Sequence, residues 1–232
     1  MDVLTRLDEA RAATNVLEHP FYQRWSQGAL GAEELSLYAG QYRHAVVALA
    51  DASAAAAGAS AREHHGSQAG LREHAAEEQA HVALWDRFAA ACASACAERS
   101  APAAGAASPP AAAEPLEGTR ECVSGWSAGE DLLERLAVLY AIEAGQPEIS
   151  RTKLEGLRRH YGHVPEGPAT EYFSLHEQLD VEHAAAAREL ISELIAQADD
   201  PEGTAERMVA RANAALRGNW RLLDSVEAAP VG

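Results

Sequence analysis

Apolar residues recur three and four positions apart through most of this chain. That is the period of a helix with one buried face. The pattern predicts a short helix from Asp2 to about Ala13 and a second opening at His19-Pro20, where proline is tolerated in a first turn. A long helix runs from Gly31 to about Gly58, and another spans roughly Arg62 to Glu98. Helical period resumes near Ser127, reaches Ala144, breaks at Gly145-Gln146-Pro147 and continues to about Tyr161. Ala169 to Gln197 and Pro201 to about Ala228 complete the set, with Asp200 placed to cap the last. Ser100 to Glu117 is rich in Ala, Pro, Gly and Ser and contains Pro109-Pro110, which predicts a loop. The expectation is a single all-α domain over residues 1–232, seven to eight helices with a flexible insertion at about 99–126.

Composition agrees with helix over sheet. Roughly 23% of the residues are Ala and 6% are aromatic. The formal charge of −16 gives nucleic acid or an anionic membrane no electrostatic help. The N-terminus lacks a basic-then-apolar signal pattern, and Asp51 interrupts the longest small-residue run. Three cysteines, Cys92, Cys96 and Cys122, are too few for a disulfide framework, so a reducing cytoplasm is expected. Lys153 is the single lysine, against eighteen arginines.

Three helices carry residues able to hold metal. His176-x3-Asp180-x2-His183 puts two imidazoles and a carboxylate on one narrow helical stripe. Glu78-x2-His81 matches the Glu-x-x-His pair by which helix bundles bind two metals. Glu77 is equally near His81 by angle, and His74 lies on the same stripe seven residues earlier. Glu143 stands in the apolar run Leu136–Ala144, where an isolated carboxylate is costly unless paired or metal-bound. Glu78, His81, Glu143, His176, Asp180 and His183 together suffice for two divalent ions with positions left open. Carboxylate with imidazole suits iron or manganese. Tyr140 and Tyr22 are oxidisable and are candidates to lie near the metals.

These motifs resemble those of the heme-oxygenase-like di-metal oxidases, which share a helical fold with the TenA thiaminases and the PQQ-synthesis protein. The likeness is carried by His19-Pro20-Phe21-Tyr22-Gln23-Arg24-Trp25, by Tyr38-Ala39-Gly40-Gln41-Tyr42, by Tyr140–Glu148 with Lys153, and by the His176–His183 motif. Within that family the pattern is nearest to a para-aminobenzoate-forming group represented in Chlamydia. The resemblance implies that Glu143, His176, Asp180, His183 and His81 are ligands to two non-haem ions, Fe/Fe or Fe/Mn, with O2 as co-substrate. It also implies roles for Tyr22 and Lys153, as the tyrosine converted to para-aminobenzoate and the amino donor. That group places its first carboxylate where this chain has His74; the Glu-x-x-His form is nearer to an alkene-forming branch. Glu77, Glu78, His74 and His44 thus stay open for the remaining ligand. A homodimer is implied as well. The same chemistry on a small molecule, by amine N-oxygenation or oxidative C–C cleavage, is an alternative reading. A metal-free thiaminase-like hydrolase and a non-enzymatic interaction protein are the others.

Overall fold

The computed structural model describes residues 2–63, 66, 68–100, 114–163 and 167–230. Among these, the chain forms nine α-helices and no strand: α1 (Val3–Ala13), α2 (Pro20–Gln27), α3 (Ala32–Glu63), α4 (Gln68–Ser100), α5 (Glu117–Trp126), α6 (Leu132–Glu143), α7 (Gln146–Arg159), α8 (Glu171–Ile195) and α9 (Pro201–Ala228). A 3₁₀ turn, Val16–Glu18, links α1 to α2. The all-α bundle expected from the periodicity is what the chain forms. No described helix is long and apolar enough to cross a membrane.

Helix α6 is the axis of the bundle. Every residue from Leu136 to Glu143 is buried, as expected of a helix that is apolar all round. Asp131 caps its start by accepting from the Glu134 amide at 2.8 Å. The buried Glu134 carboxylate accepts from Arg207 at 3.1 Å and Arg211 at 2.9 Å, fastening α6 to α9. α3 and α4 pair along their lengths, and α8 packs on α6 and α7. The ends of three helices, α4, α6 and α8, are thereby brought to one region.

Helix α5 is a correction to the insertion expected at about 99–126. Residues 117–126 are helical and packed on α9, and only 101–113 of the insertion lie outside the described residues. Its glycine makes the close packing possible. A Cβ on Gly118 would lie 2.0 Å from the Arg221 carbonyl oxygen, and one on Gly218 of α9 would lie 2.9 Å from the Cys122 backbone. Gln41 of α3 secures the start of α5. Its amide oxygen accepts from the Leu116 amide at 2.9 Å and the Thr119 hydroxyl at 2.6 Å.

The contact between α2 and α7 positions the lone lysine. Gly156 lies so near Trp25 that a Cβ there would come within 2.5 Å of the indole. The Trp25 Nε1–H then donates to the Lys153 carbonyl at 3.2 Å. Gly28, at φ 70°, closes α2 in the left-handed conformation that glycine adopts without strain.

Candidate metal centre

Seven imidazole and carboxylate side chains converge between α4, α6 and α8. Along α4, His74, Glu78 and His81 share one stripe, since three- and four-residue spacings return to the same face. From α8 come His176, Asp180 and His183, and from the end of α6 comes Glu143. Glu78, Glu143, His176 and Asp180 are each 1% exposed. Potential ligand atoms of His74, Glu78 and His183 lie within 4.8 Å of one another, as do those of Glu78, His81 and His176. Glu78 therefore belongs to both trios. Glu143 Oε1 is 3.0 Å from His74 Nε2, and Asp180 Oδ1 is 3.5 Å from His183 Nδ1.

Neighbouring acceptors orient two of the rings. His176 Nδ1–H donates to the Tyr172 carbonyl at 2.7 Å, which leaves Nε2 facing the cluster. His183 Nε2–H donates to Glu77 at 3.0 Å, which leaves Nδ1 facing it. An acceptor behind the ring is how proteins fix the tautomer of a metal-ligating histidine. Glu77, left open beside Glu78 by the sequence, is thus the residue behind His183, and Glu78 is the one inside.

Buried polar atoms without hydrogen bonds test whether this set fits a metal. Among the described residues, eight of the twelve such atoms belong here: His74 Nε2, Glu78 Oε2, both Glu143 oxygens, His176 Nε2, both Asp180 oxygens and His183 Nδ1. Buried polar groups are otherwise nearly always satisfied. Their concentration at one point fits divalent cations. The donors are oxygen and imidazole nitrogen, with no thiol among them, which suits iron or manganese.

Charge within the metal-free cluster is divided unevenly. Burial pulls His183 down, but Asp180, Glu143 and Glu77 outweigh it and raise the ring to about 9. Burial likewise opposes the proton on His74, and the Glu143 carboxylate overcomes it. His176 is held below its ordinary value by burial. Burial raises Asp180. In Glu78 burial is outweighed by the His81 hydrogen bond and the nearby imidazoles, so this carboxyl falls below the usual range.

A cavity of about 240 Å³ opens on one side of the cluster. Leu71, Leu136, Leu139 and Leu190 are among its walls, and its polar lining is His74, Glu143 and His183.

On another side, aromatic contacts run from the cluster to Lys153. The Tyr172 ring stacks on His176 at 3.9 Å and meets Trp85 at 4.9 Å. Trp85 meets Tyr42 at 5.0 Å and Tyr38 at 6.0 Å, and the Tyr38 hydroxyl is 3.2 Å from that of Tyr22. Lys153, 1% exposed, sets Nζ 4.7 Å from the Tyr42 ring centre, 5.0 Å from Phe173, 5.3 Å from Tyr38, 5.4 Å from Tyr22 and 5.5 Å from Trp85. No carboxylate pairs with it among the described residues. Burial alone holds its pKa well below that of a free lysine.

The sequence matches the profile of an iron-containing redox enzyme family over residues 36–220. The chain belongs to that family. As a member it is an iron-type oxidoreductase, and its relatives agree. It is 28% identical to the 4-aminobenzoate synthase of Nitrosomonas europaea over 235 residues, 95% of this chain and 89% of that one. It is 30% identical to the 4-aminobenzoate synthase of Chlamydia muridarum over 217 residues, 90% and 86% of the two chains. In fold it is similar to a TenA homologue from Pseudomonas syringae, with a TM-score of 0.74 at 16% identity over 97% of this chain and 90% of that one. A heme-oxygenase-like structure from Shewanella denitrificans gives 0.69 at 18% identity, over 97% and 88%.

Not every residue of this redox enzyme singled out by sequence reaches the cluster. The Tyr140 hydroxyl donates to Asp8 at 2.6 Å and accepts from Arg188 at 2.6 Å, so it is engaged between α1 and α8 rather than at the candidate ligands. His44 is half-buried and belongs to neither ligand trio. Conversely, Tyr38 and Tyr42 have a place in the family motif but no role at the site that sequence assigns, and Trp85 and Tyr172 have neither. Their signal is the four-residue spacing of Tyr38 from Tyr42 and of Tyr172 from His176, which places each pair on one face.

Proposed function

We propose that this iron-type redox enzyme is a dinuclear non-haem oxidase, Fe/Fe or Fe/Mn, that uses O2 to make 4-aminobenzoate from its own Tyr22, with Lys153 supplying nitrogen. Glu78, His81, Glu143, His176, Asp180 and His183 hold the two ions in this reading. When bound, the ions supply reductive activation of O2. The observation that carries the proposal is the burial of the sole lysine beside Tyr22 and Tyr38, linked to the candidate ligand His176 through the rings of Trp85 and Tyr172. Burial keeps the Lys153 amine unprotonated at higher acidity than a surface lysine, and an unprotonated amine is the form able to give up nitrogen. The Tyr38 hydroxyl holds Tyr22 in place, and the surrounding rings exclude water. Dioxygen, small and apolar, is the co-substrate suited to the leucine-walled cavity. Tyr140 has no part in this scheme.

The same cavity favours one second reading, an external small apolar substrate acted on at the same centre. The thiaminase-like alternative has no such support. The Cys92 thiol is pushed up to about 12 by burial, Cys122 is raised further, and neither belongs to the cluster. The three free thiols and the acidic composition support a cytoplasmic location in this reading, and the family resemblance alone supports a homodimer.

Isotope labelling separates the two readings. Protein carrying ¹⁵N-lysine and ring-¹³C-tyrosine is loaded with Fe(II), alone or with Mn(II), and exposed to O2 and a reductant. The proposal expects 4-aminobenzoate bearing both labels, at no more than one per chain. Lys153→Arg keeps a cation but removes the transferable amine, and is expected to abolish the product while retaining metal. Unlabelled product, or unchanged yield from Lys153→Arg, contradicts the proposal.

A further inference from the structure

His74 lies outside the six-ligand set just proposed, yet its geometry is that of a ligand. We propose that His74 is a seventh protein ligand, so that each of the two metal positions is held by two imidazoles; this rests on the di-metal reading above. His74 Nε2 and Glu143 Oε1 are 3.0 Å apart, a distance at which a histidine and a carboxylate ordinarily share a hydrogen bond. Here the two make an ion pair at that distance, but neither atom makes a hydrogen bond of ordinary geometry. Both atoms are thus available to a third partner lying between them. Two ligand atoms at about 2.1 Å from one ion and at right angles are about 3 Å apart, which is the spacing found.

The surroundings of His74 close the position. Its ring centre is 4.3 Å from that of His183, inclined at 42°, and its ligand atom lies within 4.8 Å of those of Glu78 and His183. One position is then bounded by His74, Glu143, Asp180 and His183, next to the cavity. The other is bounded by His81 and His176, next to Tyr172. Glu78 belongs to both trios and stands between the two. A plain ion pair between His74 and Glu143 would still leave the second Glu143 oxygen and Asp180 Oδ2 buried without a partner. A cation beside His74 satisfies both.

The test counts imidazoles rather than turnover. Full-length apoprotein is loaded anaerobically with Fe(II) and separately with Mn(II). Metal per chain is measured, and X-ray absorption gives the number of imidazoles per metal. Wild-type protein is expected to bind two metals with four imidazoles between them. His74→Ala is expected to lose one metal or drop the count to three. His74→Glu, which restores a ligand of another type, is expected to recover two metals while the count stays at three. Three imidazoles in wild-type protein, with neither number altered in His74→Ala, would overturn the role of His74 and leave the di-metal reading standing. Wild-type protein that binds no metal would overturn both. The wild-type count stands whether or not the variants fold.

Discussion

His183 holds a proton at neutral pH in the metal-free protein, because Asp180, Glu143 and Glu77 together raise it to about 9 against burial. A metal must displace that proton. Loading is therefore expected to tighten as pH rises from 6 towards 9, with about one proton released by this residue per binding event near neutrality. Calorimetry in two buffers of different ionisation enthalpy measures the release, and pH-independent affinity would count against His183 as a ligand. Metal-free stability runs the other way. The raised value stabilises the fold fully below about 6.5, and that contribution is lost as pH climbs through about 9. Glu77 acts through His183, to which it is bonded at 3.0 Å. Glu77→Gln keeps an acceptor but removes the charge behind the ring. It is expected to weaken metal binding by about 10- to 100-fold without changing the imidazole count, as competition with a fluorescent chelator would show.

Helices carry these residues into register, and some of that was legible in the chain while some was not. The His176–Asp180–His183 stripe follows from the helical period, and Glu143 stood out as a charge within an apolar run. The choice of Glu78 over Glu77 did not follow, since neighbours on one helix differ little by angle from His81; the packing of α4 against α8, which sets Glu77 on His183, distinguishes them. Helix α5 was hidden for a related reason. Gly118, Gly125 and Ser124 give it little helical or apolar signal of its own, and its stability comes from seating on α9. Tyr140 shows the opposite failure. It lies one turn from Glu143, but its long side chain projects to Asp8 and Arg188. Close helix contact also sets Lys153. In Gly156→Ala the new Cβ meets a Trp25 ring already pinned by its bond to the Lys153 carbonyl. Overpacking is expected to cost about 1–3 kcal/mol, beyond the roughly 1 kcal/mol that alanine adds to a helix interior, so urea unfolding should shift to lower midpoint.

Across the whole molecule, the bundle separates two environments about one cluster. A leucine-walled cavity meets the side bearing His74, Glu143 and His183, and a sheath of aromatic rings meets the side bearing His176. Lys153 and Tyr22 sit at the far end of that sheath, buried, and no carboxylate among the described residues pairs with Lys153. This division is invisible in composition, because it depends on four distant segments meeting. It is also what joins the family membership to a particular chemistry. The most direct measurement is anomalous diffraction at the iron and manganese edges from a crystal of anaerobically loaded protein. Two peaks are predicted, one bounded by His74, Glu143, Asp180 and His183 and one by His81 and His176, with Glu78 between them. No peak among these residues, or a single ion held elsewhere, would contradict the account.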